Sequence, residues 1–274
     1  MKVIKIDNID QVSELIWEQK FDFEKKRNRS SYLYRGLSNA KFNLVTSLQR
    51  NCKGKKDELE LSILRNFTKY TAKEEPKLKE SIWRQMIVGQ HHGLPTRLLD
   101  WSYSVLVALH FATSGESLNM IDDHDCAVWK IDIEEINGML PDKYKKILKT
   151  ENAYLLTVDM MDRLISGDVN ALEKYDKEMG EHALVLLEPF SIDQRIINQY
   201  SYFSIIPAQM EHGTDRLGIE AFLSTTNNTV KYVIDKSLKW RIRDMLDQMN
   251  INERTIYPGI DGIAQWLARH YYVR

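Results

Sequence analysis

The sequence predicts an α+β fold, a single mixed domain of short strands flanked by helices, and three observations point to it. Stretches of strand composition alternate along the chain with stretches whose apolar residues recur at helical spacing. No internal repeat, low-complexity tract or Pro/Gly-rich linker divides the 274 residues, a length that can bury a full core in one domain. Hydrophobic residues at 43% and charged residues at 28% exclude a wholly disordered chain.

The elements follow in order. Val3-Ile4-Lys5-Ile6 reads as an opening strand. A helix is expected from about Asp10 to Glu18, with Asp10 as its N-cap and Val12, Leu15 and Ile16 inward. Ser31 to Arg35 has strand composition and stops at Gly36. Leu59, Ile63, Phe67 and Tyr70 recur at helical spacing and predict a helix over 57–73. Beyond Pro76 a second helix, about 77–90, turns Leu78, Ile82, Met86 and Ile87 inward.

Gly93-Leu94-Pro95 ends that helix, since proline and its predecessor resist helical geometry. Thr96 to Asp100 then reads as a short buried strand. Ser104 to Thr113 reads as a helix capped by Ser102 or Ser104; it is apolar all round, which places it centrally. A strand is expected over 127–133, and residues 139–180 read as a helical insertion. Strand character returns at 183–187, and 195–199, 202–207 and 221–225 read as extended segments. Helices are expected over 230–249 and 263–270.

The formal net charge of -1 gives no global pull toward nucleic acid or an anionic membrane. Two local basic patches, Lys25-Lys26-Arg27 with Arg29 and Arg50 with Lys53, Lys55 and Lys56, read as solvated loop charge. Cys52 and Cys126 are far apart in sequence and make no disulfide framework, which fits a reducing compartment. No stretch has the length and apolarity of a signal core or a membrane span, so a cytoplasmic protein without a membrane partner is expected.

Standard short signatures are absent: no phosphate-binding glycine loop, dinucleotide fingerprint, paired-cysteine zinc spacing or nucleophile elbow. Asp122-Asp123-His124-Asp125-Cys126 reads as a polar loop, because consecutive residues cannot all face one ion, and no metal site is expected. Gln90 to Trp101 is different. It packs an amide, two imidazoles (His91, His92), a guanidinium (Arg97) and a carboxylate (Asp100) around one helix-to-strand break. Strand alternation puts Arg97 and Leu99 on one side, Leu98 and Asp100 on the other. Arg97 and Asp100 serve either as paired structural charges or as working groups.

Tyr34-Arg35-Gly36, then Leu44 to Arg50, then Gln90 to Trp101 running on through Leu106 to Ala112, resembles the FRG domain, a family named for its Phe/Tyr-Arg-Gly motif. Arg195 to Phe203 and Ile256 to Ala264 also resemble its pattern, in family order. Thr46 stands where the family favours proline, His92 where tyrosine is usual, and Ser201 where glycine is usual.

The family's layout resembles in turn the ADP-ribosyltransferase fold. That implies a split or twisted antiparallel-rich sheet flanked by helices, with NAD as co-substrate. Arg35 corresponds to the early basic residue, the strand running into the helix from Ser104 to the nicotinamide side, and Gln199 to the late polar residue. On that reading Tyr34, Arg35, Gly36, Arg97, Trp101 and Ser104 hold NAD, and Asp100, Gln199 and His91 are catalytic. An arginine fork suits a pyrophosphate, an aromatic ring can stack on nicotinamide, and a carboxylate steadies a ribose that develops positive charge. Gln199 is not a carboxylate, so Asp100 serves in that role or the reaction proceeds by alignment alone.

Three functions remain open at this stage. One is a transferase modifying a macromolecular acceptor, nucleic acid or protein, as a toxin or defence effector with an antitoxin or regulatory partner. The second is a non-catalytic binding module that uses the same pocket. The third is a nucleotide or nucleic-acid hydrolase using His91 and Asp100 as acid and base.

Overall fold

A computed structural model describes residues 1–166, 170–191, 193–211 and 218–273. The chain opens with β1 (Lys2–Ile6) and α1 (Ile9–Trp17), then a hairpin of β2 (Lys20–Asp22) and β3 (Arg27–Arg29), and β4 (Tyr32–Leu37). Next come α2 (Ser47–Cys52), α3 (Lys56–Tyr70), α4 (Ile82–His91), β5 (Leu98–Ser102), α5 (Val105–Ala112) and β6 (Cys126–Asp132). Helices α6 (Ile133–Gly138), α7 (Asp142–Thr150), α8 (Val158–Leu164) and α9 (Ala171–Met179) lead to β7 (Val185–Leu187). The rest is α10 (Gln194–Gln199), β8 (Ser201–Ile205), α11 (Ala208–Glu211), α12 (Gly218–Ser224), β9 (Val230–Ile234), α13 (Lys239–Gln248), α14 (Glu253–Ile256) and α15 (Ile260–His270).

Among the described residues, seven strands form one sheet in the order β1-β9-β6-β4-β5-β8-β7; β1 and β9 run parallel and the other pairs antiparallel. The expected antiparallel-rich sheet flanked by helices is present. Pairing is uneven across it. β4 and β6 share a register of six pairs, whereas β4 and β5 meet only at Tyr34 opposite Ser102. Main-chain groups beyond that pair need other partners, and this gap is where the site forms.

Side chains divide by strand parity between the two faces. On one face, Tyr34, Val128 and Tyr232 pack with α1, α5 and α13. On the same face but beyond the gap, Leu98, Phe203 and Ile205 pack with α3, α4 and α7 to α9. The opposite face carries Leu33, Leu99, Trp101 and Trp129 against α6, α11 and α12. The first face therefore has two cores that part at the β4–β5 gap.

Gly36 lets α5 close over β4. A Cβ built on it would sit 1.9 Å from the main-chain oxygen of Ala108, so only glycine permits this approach. Ser104 caps α5, accepting from the N–H of Val107, and the helix is buried as its composition predicts.

Several expectations change. The N-cap of α1 is Asn8, two residues before Asp10, because its side chain accepts from the N–H of Gln11. β4 runs through Gly36 to Leu37. Helix α3 buries Lys56, Glu60 and Leu64, while Leu59 and Tyr70 are exposed. The cause is polar: Glu60 turns inward to pair with Arg97 and takes the face the apolar spacing had claimed. Cys126 is buried in β6, and both cysteines are free thiols.

Residues 195–199 form a helix rather than an extended segment, since Asp193 caps two N–H groups ahead of the β-branched pair Ile196-Ile197. Residues 218–224 are helical too, with Ile219, Phe222 and Leu223 on one buried face. The helix expected over 230–249 begins only at Lys239; Val230, Tyr232 and Ile234 alternate inward as β9, and a turn capped by Asp235 separates the two.

Candidate functional site

Arg35 leaves β4 at the gap. Its Nη1 donates to the main-chain oxygen of Asp100 at 2.6 Å and lies 3.5 Å from Asp100 Oδ2. The guanidinium thus takes over part of the pairing that β4 and β5 lack. Its Nε is buried and has no hydrogen-bond partner among the described residues. Burial lowers the arginine's pKa from its ordinary value, against the pull of the Asp100 carboxylate and with the nearby Arg50 adding to the lowering.

Asp100 is fixed from its other side. Gln90 Nε2 donates to Asp100 Oδ2 at 3.0 Å, and Gln90 Oε1 accepts from the hydroxyl of Thr96 at 2.6 Å, which orients the amide. The helix-to-strand break seen in the sequence thereby folds its own end, Gln90, back onto its carboxylate. The side chain of Asp100 remains 55% exposed, so it faces the opening rather than the core.

These groups line a cavity of about 250 Å³ together with Tyr34, Gly36, Ser102, Phe111, Arg195 and Gln199. Helix α10 supplies Arg195 and Gln199 and is held at both ends. Asn198 and Gln199 donate to the main-chain oxygens of Thr255 and Ile256, tying it to α14. Arg195 lies over the ring of Tyr257 at 5.4 Å. Two guanidiniums against one carboxylate give the cavity a net positive balance that suits an anionic ligand.

Of the residues singled out from sequence, Tyr34, Arg35, Gly36, Asp100, Trp101 and Gln199 line this cavity, and His91, Arg97 and Ser104 do not. Arg97 is 4% exposed and pairs with Glu60 and, at 2.6 Å, with Asp176, linking α3, the start of β5 and α9. Its charge is met inside the fold, so it stands apart from the other residues expected to hold NAD. His91 Nε2 lies 2.5 Å from Asp193 Oδ2 and docks α4 on the cap of α10. Those contacts hold Asp193 below the ordinary carboxylate range although burial pushes it up, with the Ile196 N–H and His91 outweighing that push.

The hydroxyl of Ser104 is used in capping α5. Trp101 sits in the opposite-face core, and its indole N–H donates to Ser204 Oγ at 2.9 Å, so its ring is committed to packing. Tyr34 is likewise buried, and burial raises its pKa. Sequence reasoning missed Arg195, Ser102 and Phe111. Arg195 lay inside a quoted motif but read as part of a strand; the Asp193 cap was the signal for the helix that presents it.

The Tyr-Arg-Gly segment is therefore built for one place, with its arginine in a gap and its glycine under a helix. Residues 30–120 match the model of the FRG domain. That segment, about a third of the chain, is similar to the FRG domain. No curated protein and no solved structure matches the chain. The FRG segment supplies Tyr34 to Gly36, Gln90, Asp100 to Ser102, Ala108 and Phe111 to the cavity. Arg195, Gln199 and Ser201 come from beyond the matched residues. Thr46, which stands where the family favours proline, caps α2 by accepting from the N–H of Gln49. Ser201, where glycine is usual, pairs with Ser102 in register and lines the cavity.

Proposed function

We propose that this protein is an NAD-dependent ADP-ribosyltransferase whose site is the Arg35–Asp100 cavity. The observation that carries the reading is the arginine itself: a half-buried guanidinium that has, among the described residues, no partner for its buried Nε and lines one cavity with a second arginine and a fixed carboxylate. A guanidinium of that kind is suited to a phosphate oxygen. The volume of about 250 Å³ lies below the roughly 300–1,000 Å³ of a pocket that encloses a whole drug-sized ligand. The residues therefore fit one end of a dinucleotide, with the remainder outside.

NAD supplies a ribose whose bond to nicotinamide can be broken. In this reading Arg35 and Arg195 hold the phosphates, and Asp100, steadied by Gln90, presents negative charge to the ribose. Gln199 orients it from α10. A carboxylate facing the place where positive charge develops contributes to rate rather than to binding. The hydrolase reading loses support, because His91 is engaged with Asp193 and does not share the cavity with Asp100.

Titration calorimetry with NAD, followed by a nicotinamide-release assay in the presence of protein and RNA acceptors, tests the proposal. Binding together with acceptor-dependent release is expected. Absence of both leaves the cavity as a binding module for another anion.

A further inference from the structure

A second cavity of about 540 Å³ adjoins the first around the ends of β5 and β8. The same short segments build both. Ser102, Gln199 and Ser201 line the first, while their chain neighbours Tyr103, Tyr200 and Tyr202 line the second. The segments are cross-linked there, with Ser102 Oγ donating to the Gln199 oxygen at 2.7 Å and the Tyr103 N–H to the Tyr200 oxygen at 3.1 Å. Tyr202 faces the same side of the sheet as Trp101, its register partner, and Ser201 faces the other.

The three rings meet at steep angles. Tyr103 lies 5.3 Å from Tyr200 at 70° and 6.4 Å from Tyr202 at 64°, and Tyr200 and Tyr202 are 6.4 Å apart at 71°. Tyr200 is 51% exposed, held by a left-handed backbone at the end of α10. An aromatic face that lines an open cavity attracts an organic cation.

Charge points the same way. Lys25 is paired with Asp22 and Lys20 with Asp132, each at 3.1 Å. Among the described residues, the lining charges left without an ion pair are Arg29, Glu134 and Glu188, an excess of carboxylate. A nucleic-acid strand would ask instead for a groove of free cations along its backbone.

We propose that this second cavity docks a cationic side chain, the guanidinium of an arginine or the ammonium of a lysine, presented by a protein acceptor. The cation is an anchor beside the first cavity and not the modified atom. As a statement about an acceptor the inference rests on the transferase reading; as a cation site it does not.

The test titrates N-acetyl-arginine methylamide, its lysine counterpart and the neutral citrulline counterpart into the full chain by NMR. The two cations are expected to shift resonances of Tyr103, Tyr200 and Tyr202, and citrulline is not. Glu188→Gln should weaken the cations roughly tenfold, and Tyr202→Leu by a similar factor, the scale of one cation–π contact or one screened charge. Equal binding of citrulline, or a single-stranded oligonucleotide that binds there and gains from Glu188→Gln, overturns the proposal. Acceptor-independent nicotinamide release is measured on the same variants, and Glu188→Gln should leave it unchanged while lowering transfer to a basic peptide. Wild type that binds the cations but releases no nicotinamide would remove the transferase reading and leave the cation site standing. Wild type that releases nicotinamide but ignores the cations would do the reverse.

Discussion

Arg35 holds both the backbone and the carboxylate of Asp100, with Nη1 2.6 Å from its main-chain oxygen and 3.5 Å from Oδ2. One side chain therefore closes the seam between β4 and β5 and presents charge to the cavity beside it. The two roles are separable by substitution. Arg35→Lys keeps the charge but loses the planar fork, so NAD affinity is expected to fall by about tenfold or more. Arg35→Ala should lose binding and also lower the melting temperature, because the seam loses its bridge. Calorimetry and thermal melts on the two variants check this.

Asp100→Asn keeps shape and the hydrogen bond from Gln90 while removing charge. If Asp100 steadies a ribose that becomes cationic, turnover should drop by roughly 10²–10³-fold with little change in NAD affinity. A loss confined to affinity would make Asp100 only a partner of Arg35. Nicotinamide release under saturating NAD reads the difference.

Gly36→Ala should destabilise the protein by about 1–3 kcal/mol, the usual cost of overpacking, because its new Cβ would meet main-chain atoms of α5 that cannot rotate away. The same change would move α5 off β4 and distort the cavity wall at Ala108 and Phe111. Chemical denaturation gives the first effect and NAD titration the second.

Arg97→Ala should cost about 3–5 kcal/mol, since it strands Glu60 and Asp176 without their common partner. Leu99→Ala, at 1% exposure, should cost about 2–5 kcal/mol by cavity formation. Under conditions where either variant stays folded, NAD affinity should remain that of the wild type, because neither residue lines the cavity. A selective loss of NAD binding in Arg97→Ala would return that arginine to the site.

His110 is 2% exposed between α5 and α13, with Nδ1 2.8 Å from Arg243 Nη1. Burial lowers its pKa well below 6.5, and Arg243 and Arg269 add to the lowering. The unfolded chain therefore binds a proton at a pH where the folded chain does not. Stability from this group is complete above pH 6.5 and declines as pH falls toward the folded value, by at most about 1.4 kcal/mol per unit. Denaturant midpoints measured from pH 7.5 down to 5 should show that slope, and His110→Gln should flatten it.

Much of this arrangement was legible in the chain itself. Gly93-Leu94-Pro95 set the break that places Gln90 near Asp100, and the apolar run 105–112 identified the central helix. The Tyr-Arg-Gly motif named a residue that does reach the cavity. These signals are local: proline geometry, helical period and strand composition act over a few neighbouring residues.

What only the tertiary structure decided was which charges face one another. From sequence, Arg35 and Arg97 are equivalent guanidiniums beside strands; the fold gives Arg35 an open gap and Arg97 a buried carboxylate from α3 and a half-buried one from α9. His91 and Asp100, close in sequence, part because Asp193 at the head of α10 captures the imidazole. Arg195 joins the site because that same capped helix, distant in the chain, is tied to α14. Local preferences set each element, but desolvation and pairing of charge are settled only when segments far apart in sequence pack together, and those pairings separate structural charges from the ones left to meet a ligand.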